Sequence, residues 1–308
     1  MNKHTGRVLL SGLLLASLLS PVPSHAEESG LAGDWGGMKD QFAASGLSLD
    51  AVYTGEFVRN LSPGLVNGRK QTVYQNAVDL AATLDSGEAG LWQGGVFYVS
   101  GLFFNGGLPT ANVIGDLQTV SNIEAAGYQF SLFEVWYEQQ LANSGLSLLV
   151  GLHDLNAEFY VSEYGSLLIN SSFGLGADMG ANVAVSTFPK ASWAARAKYT
   201  RGDAWYVQAG MYDGDPATKN MNATEGYLSA FEAGLATGEG TVKLGAWHHT
   251  ADRTVAGRSF GSDYGLYGLT DQPLIEFAGM QLGGFAQFGW APKQRNDIVR
   301  YLGAGLHL

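Results

Sequence analysis

Apolar and polar residues alternate along much of the chain with a period of two, which is the period of an extended strand. Residues 131–152 show this pattern clearly. Phe133, Val135 and Tyr137 fall on one predicted face of a strand, and polar residues such as Glu134 fall on the other. One face is therefore apolar and the other is polar. The apolar face must contact either a protein core or lipid.

The alternation recurs in roughly a dozen segments, each close to the 9–11 residues that a tilted strand needs to cross a bilayer. The segments are 47–59, 72–85, 94–104, 131–141, 145–153, 192–201, 203–213, 226–237, 240–250, 263–271, 280–291 and 297–308. Short joints such as 201–203 alternate with long ones, and we expect the long connection 154–191 to fold back into a lumen. These alternating segments and their connections predict an all-β protein. The predicted fold is a transmembrane antiparallel up-and-down β-barrel with short turns on one side and long loops on the other.

The first residues have the form of a secretory signal peptide. A basic start is followed by an apolar run and then by small residues that end at Ala26. We therefore predict export from the cytoplasm. The predicted domains are a signal peptide over residues 1–26, an N-terminal segment with a short helix over 27–46, and a barrel domain over 47–308.

The chain is acidic and contains no cysteine. Its 308 residues include 17 basic and 28 acidic side chains, a formal net charge of −11. Removal of residues 1–26 takes away Lys3 and Arg7 but no acid, which brings the charge to −13. This balance argues against nucleic acid or an anionic membrane surface as a partner, although it does not show how evenly the charge is spread. With no cysteine, and with His248 and His249 on opposite faces of a strand, we expect no metal site and no cofactor.

Short stretches in a fixed order carry a resemblance to a known family. They are Gly33–Gly37, Tyr53–Glu56, Val120–Ala125, Phe133–Gln139, Val150–Phe159, Ser162–Ser166, Leu168–Gly174, Lys243–Thr250, Gly265–Gly268 with Asp271 and Gln272, and Gly289–Pro292 with Arg295 and Asn296. In this order they resemble the carbohydrate-selective porins of Gram-negative outer membranes, the OprB family. The resemblance spans nearly the whole chain after residue 26.

The resemblance implies a porin barrel of about 16 strands, within the range of such barrels, that lets sugars, glucose among them, diffuse passively across the outer membrane. This sequence ends at Leu308, where the family pattern would continue into another loop and further strands. Either the porin domain is incomplete at its C-terminal end, or about 12 strands close a smaller barrel. We expect about 12 strands and, of these two alternatives, an incomplete domain. Sugars in transit and outer-membrane lipid are the expected partners, and a homo-oligomer is left open.

Charged and aromatic residues on the predicted polar faces are the candidate pore-lining residues. They are Glu134, Trp136, Glu138, Arg196, Lys198, Arg59, Arg69 and Lys70. A sugar channel needs side chains that replace water around hydroxyl groups and still bind weakly enough to release the sugar. Carboxylates and guanidinium groups form such hydrogen bonds, and aromatic rings cover the C–H faces of a sugar. The alternative interpretation is that these charges only keep a lumen hydrated.

Three other functions remain open at this point: a general unselective porin, a secreted β-sandwich sugar-binding protein, and an outer-membrane enzyme such as a lipase. A glycosidase is not favoured, because the Cα atoms of Glu134 and Glu138 would lie roughly 13 Å apart on a strand, too far to act on one bond. Ser100 and Ser131 have no evident triad partner. We therefore expect no enzymatic activity.

Overall fold

The structure, a computed structural model, describes the chain from residue 36 onward. The described ranges are 36–66, 68–127, 129–142, 144–220, 222, 224–255 and 257–308. The predicted signal peptide and residues 27–35 of the predicted N-terminal segment lie outside the described residues. The predicted short helix is present as α1, Met38–Ala44. Among the described helices, none is both long and apolar enough to cross a bilayer.

Fourteen strands follow α1 in the described part of the chain. They are β1 Leu47–Arg59, β2 Thr72–Asp85, β3 Gly95–Gly106, β4 Gln129–Gln140, β5 Leu146–His153, β6 Ser192–Arg201, β7 Trp205–Asp213, β8 Tyr227–Thr237, β9 Gly240–His249, β10 Arg253–Val255, β11 Arg258–Phe260, β12 Asp263–Phe277, β13 Met280–Trp290 and β14 Arg300–His307. A one-turn helix α2, Ala177–Gly180, lies in the connection between β5 and β6.

Twelve of these strands form one antiparallel sheet in which each strand pairs with the next along the chain. The short strands β10 and β11 pair only with each other, so that β9 lies beside β12. The two edge strands of the large sheet are β1 and β14. This order confirms the predicted up-and-down antiparallel architecture and the estimate of twelve strands, and it is not the order of two packed sheets.

Short turns and long connections alternate, as predicted. Gly202, Gly238 and Gly279 lie in the turns that follow β6, β8 and β12, with φ angles of 55°, 74° and 78°. Such left-handed backbone favours glycine, because a Cβ atom would clash there. The connections at the opposite ends of the strands are longer, and the longest runs from residue 154 to residue 191.

The two faces of the sheet have different surroundings. Apolar side chains such as Leu148, Val150 and Leu244 are exposed on one face, which we call the outer face. The connection 154–191 packs against the other face, which we call the inner face. Within the described chain, these outer residues are not covered by a protein core, and an extended exposed apolar surface of this kind marks an interaction face.

The connection 154–191 forms a hydrophobic cluster with the inner face. Phe159, Tyr160 and Met179 of the connection are fully buried. They belong to one cluster with Tyr212 of β7 and Trp247 of β9. The connection therefore packs on the inner face of the sheet, and this packing places its polar groups next to those of the strands; that it enters a lumen stays a prediction.

One prediction of side-chain direction is wrong. The pairing of β3 and β4 shifts between Ser100 and Gly101, where Ser100 faces Glu134 and Gly101 faces Leu132. The extra residue is Phe133, which is buried with Phe188 at a ring-centroid distance of 6.3 Å. Phe133 therefore lies on the inner face, whereas Val135 is 40% exposed on the outer face. A β-bulge of this kind reverses the alternation by one residue.

Candidate functional site

A charged cluster lies where β4, β5 and β6 meet the connection 154–191. Arg196 of β6 donates from Nη2 to Glu138 Oε1 of β4 at 3.0 Å and to Glu158 Oε1 at 2.5 Å. Its Nη1 donates to Ser147 Oγ of β5 at 2.6 Å. The Arg196 side chain is only 2% exposed. One guanidinium therefore joins two strands and the inward connection by charge-assisted hydrogen bonds.

Lys198 lies on the same strand, two residues further towards the short-turn end. Its Nζ is 3.9 Å from Glu158 Oε2 and 5.0 Å from the centroid of the Tyr206 ring. The Lys198 side chain is 31% exposed, so it is more accessible than Arg196. A cation that is held loosely and remains hydrated can exchange its contacts with a passing solute.

Glu158 is the common partner of both cations, and sequence reasoning did not select it. Burial opposes its ionisation, but the charges of Arg196, His153 and Lys198 outweigh burial and hold the pKa of Glu158 below its ordinary value. Glu158 is therefore ionised at neutral pH. Its place in a long connection gave no alternation pattern that could have identified it.

Glu134 and Trp136, two of the predicted pore-lining residues, lie on the inner face but are buried. Glu134 Oε1 accepts the backbone N–H of Asp154 at 2.8 Å. The ring of Trp136 stacks on Tyr98 of β3 at a centroid distance of 4.9 Å. Glu134 therefore supports the start of the connection and Trp136 packs within the sheet, and the two residues are 7% and 6% exposed.

Asp154 and Asp178 are buried carboxyl groups within the connection itself. Burial raises the pKa of Asp154 to about 7, against hydrogen bonds from the backbone of Asn156 and its neighbours. Burial likewise raises the pKa of Asp178 to about 6, although Tyr160 donates its hydroxyl to Asp178 Oδ1 at 2.9 Å. Both groups therefore titrate close to neutral pH.

A second carboxylate on the inner face, Glu232 of β8, was also missed. It is fully buried and accepts four hydrogen bonds. The donors are Tyr160 N–H at 2.9 Å, Tyr206 Oη at 2.6 Å, Tyr267 Oη at 2.8 Å and Gln208 Nε2 at 3.2 Å. The available signal was a lone acidic residue in a strand that is otherwise uncharged.

Three further hydrogen bonds fix residues 161–164 of the connection. Asp271 Oδ1 of β12 accepts from Ser162 Oγ at 2.6 Å and from Tyr164 N–H at 3.1 Å. Lys243 Nζ of β9 donates to the carbonyl of Val161 at 2.8 Å. Polar groups on the inner faces of three neighbouring strands, β8, β9 and β12, therefore hold the connection in place.

The remaining predicted residues lie in a different part of the sheet. Arg59 is the last residue of β1, and Arg69 and Lys70 are exposed in the connection that follows it. Asn60 donates its side-chain amide to the carbonyl of Arg69 at 2.7 Å. Four strands of the sheet separate β1 from β6. The structure therefore brings Glu138, Arg196 and Lys198 together and leaves these three basic residues apart.

Within the ranges that the structure describes, no three acidic or histidine side chains are arranged to hold a metal ion. The charged cluster instead contains paired acids and bases. Such a surface can form hydrogen bonds with a neutral polyhydroxylated solute without accumulating net charge.

Comparison with known proteins places this architecture in a family. Porin B of Pseudomonas aeruginosa is 26% identical over 205 residues, which cover 64% of this chain and 44% of that protein. The chain thus spans less than half the length of this relative.

Two solved structures of OprB from Pseudomonas putida have the same fold. The high-pH structure has a TM-score of 0.81 at 22% identity, covering 92% of this chain and 76% of that chain. The low-pH structure has a TM-score of 0.60 at 20% identity, covering 91% and 78%. Residues 69–308 match the family model described as carbohydrate-selective porin, OprB family. Because that match covers well over half of the sequence, the chain belongs to the OprB family of carbohydrate-selective porins.

Proposed function

We propose that this chain forms the wall of an outer-membrane channel through which carbohydrates, glucose and related sugars among them, diffuse passively. The observation that carries the proposal is the meeting of Glu158 with Arg196 at 2.5 Å on the inner face of a sheet with an apolar outer face. Membership of the OprB family supports the same function.

The chemistry of the cluster suits a neutral sugar. A sugar that enters a narrow passage loses water from its hydroxyl groups and must regain hydrogen bonds from the wall. Glu138, Glu158 and Lys198 retain partial exposure and offer both acceptors and donors. Arg196 is buried and positions the two carboxylates. Binding to exposed, hydrated groups is weak, and weak binding allows rapid release.

The proposal also covers location and reaction class. We propose that residues 1–26 direct export, that the outer face lies in the lipid of the outer membrane, and that the protein acts without a cofactor or covalent chemistry. Membrane fractionation followed by surface labelling tests the location. Recovery of the mature chain in the periplasm without detergent would contradict it.

Transport is tested with the full chain in liposomes and in planar bilayers. We expect faster liposome swelling in glucose than in an amino acid of similar size, and we expect glucose to reduce the ion current reversibly. Equal swelling rates for the two solutes would contradict sugar selectivity and would instead indicate an unselective porin. Failure of the folded, inserted protein to conduct ions would contradict the channel itself.

A further inference from the structure

A row of polar and aromatic side chains marks the long-loop end of the outer face. His248 of β9 faces Tyr264 of β12 in the strand register, and Trp290 of β13 faces Arg300 of β14. The rings of Tyr264 and Trp290 lie 6.3 Å apart. These four residues therefore form a continuous row across four neighbouring strands, at the level where aromatic belts meet the membrane surface.

The outer face changes character directly beneath this row. Towards the short-turn end the exposed residues are apolar: they are Leu244, Leu266, Phe288, Leu302 and Leu306. Leu302 alone is 81% exposed. The row is therefore the boundary between a hydrocarbon-facing surface and the polar loops. A molecule lying across that boundary would contact both kinds of group.

Arg295, in the connection between β13 and β14, is held over the row. Its Nη1 donates to the carbonyl of Ser262 at 2.5 Å and approaches Ser262 Oγ at 3.3 Å. Its guanidinium lies 5.0 Å from the ring of Phe260 and 5.4 Å from the ring of Tyr264. Stacking on two rings fixes the position of the cation. The remaining guanidinium donors can bind an added anion.

The local charge of this region is opposite to that of the whole chain. Residues 291–300 contain Lys293, Arg295 and Arg300 but only one acid, Asp297, in a chain whose net charge is −11. Lys293 and Arg300 are exposed. Within the described residues, none of these three cations is in an ion pair. The cations are therefore available to a partner outside the chain.

We propose that this row is a binding site for a phosphate-bearing anionic lipid. The phosphate groups bind Arg295 and Arg300, and the acyl chains lie along Leu266, Phe288 and Leu302. Guanidinium groups bind phosphate by paired hydrogen bonds, and basic residues beside a membrane attract anionic headgroups. The inference rests on the proposed position of the outer face in lipid and does not depend on the passage of sugar.

The site is tested by native mass spectrometry of the full chain released from nanodiscs of phosphatidylcholine that contain a minor fraction of lipid A. We expect the protein to retain lipid A in preference to phosphatidylcholine. The double variant Arg295→Gln/Arg300→Gln should weaken this preference by about a hundredfold, since each of the two charge-assisted contacts to phosphate is worth about a factor of ten. Inorganic phosphate at millimolar concentration should not displace the lipid.

The matched control is Arg201→Gln. Arg201 is exposed at the short-turn end of β6, whereas the proposed site lies at the long-loop end of the sheet. It lies beside the rings of Tyr199 and Trp205, which are 5.5 Å apart. This variant should retain lipid A like the parent. Because Arg295 also anchors its own connection, Arg300→Gln alone serves as a second variant, with an unchanged unfolding midpoint and about tenfold weaker retention.

Three results would overturn the proposal. They are equal retention of the two lipids by the parent protein, retention that survives in the double variant, and displacement of lipid A by free phosphate. No step of this experiment measures transport. A protein that does not conduct sugars can therefore still retain lipid A selectively, and a protein that does conduct sugars can still lack this retention.

Discussion

Glu232 Oε2 accepts the backbone N–H of Tyr160 at 2.9 Å, which joins β8 of the wall to the inward connection across 72 residues of sequence. The phenolic hydroxyl of Tyr267 donates to the same carboxylate oxygen at 2.8 Å. A carboxylate that accepts several donors in a buried site gains enough hydrogen bonding to offset the loss of water. This carboxylate therefore fixes the position of the connection 154–191 against the inner face of the sheet.

Substitution Glu232→Ala should release the connection. Removal of the acceptor deprives the buried Tyr160 N–H and the buried Tyr267 hydroxyl of their hydrogen-bond partner, at a cost of about 3 kcal/mol. We expect a lower urea midpoint of unfolding and a higher, noisier single-channel conductance as the connection withdraws from the channel. The control is Glu239→Ala in the exposed β8–β9 turn, which should change neither quantity. A Glu232→Ala channel with parental conductance would show that the connection is held by its apolar contacts alone.

Lys198 and Arg196 offer a second, paired test because they share one strand and one partner, Glu158. Lys198→Gln should leave the unfolding midpoint unchanged, since its side chain is 31% exposed. It should raise the glucose concentration that half-blocks the ion current by about 2- to 10-fold, the equivalent of one hydrogen bond, and it should make the channel more cation-selective.

Arg196→Gln should have a different effect. It leaves Glu138 and Glu158 without their buried counter-charge, which costs about 3–5 kcal/mol, so we expect impaired folding. Conductance and denaturation measurements on the two variants separate the roles. If Lys198→Gln destabilised the protein as much as Arg196→Gln, the proposed division between an accessible and a positioning cation would be wrong.

The alternation of apolar and polar residues was sufficient to predict the twelve strands, their pairing order and the side of the long connections. It could not predict the direction of Phe133, because a bulge inserts one residue without leaving a mark in the apolar pattern. It also could not distinguish Glu134, which is buried under Asp154, from Glu138, which reaches the charged cluster. Both alternate correctly with their neighbours, and only the position of the connection 154–191 separates them.

The same limitation explains why Glu158 was missed. A site assembled between a strand and a distant connection depends on contacts across the sequence, such as that of Glu158 with Arg196, which no local period encodes. By contrast, Arg59, Arg69 and Lys70 were predicted to line the pore on the basis of their charge alone. The structure locates Arg59 on β1, four strands from β6, and its role in the channel stays a prediction.

The raised pKa values of Asp154 and Asp178, about 7 and about 6, predict that stability depends on pH. A carboxyl group with a raised folded-state pKa binds its proton first in the folded state. Its stabilising contribution is therefore complete when the pH is below the pKa of an aspartate in the unfolded chain, about 3.9. The contribution is lost as the pH rises through 6 to 7. The pKa of Glu158 is lowered, so protonation of Glu158 reduces the stability of the fold, but only at a more acidic pH than this range.

We therefore expect a higher thermal midpoint at pH 5 than at pH 8, and a narrower distribution of conductance at pH 5 as the connection becomes more firmly packed. Asp178→Asn should remove the part of this difference that arises near pH 6. Asp203→Asn, in the exposed β6–β7 turn, should keep the parental pH profile. A midpoint that falls steadily from pH 8 to pH 5 would have the wrong sign for this explanation.

The exposed outer face leads to a final prediction about membrane insertion. Leu244 of β9 is 65% exposed between Val242 and Ala246 on the apolar surface. If this surface lies in hydrocarbon, Leu244→Arg should destabilise the inserted state by about 2–4 kcal/mol, the depth-dependent cost of arginine on the lipid face of a barrel. Leu61→Arg places the same charge at an exposed apolar residue of the β1–β2 connection and should have almost no effect. Urea titration of both variants in lipid vesicles measures the difference. Equal effects at the two positions would mean that the outer face of β9 meets water, and the membrane assignment would then fail for that strand.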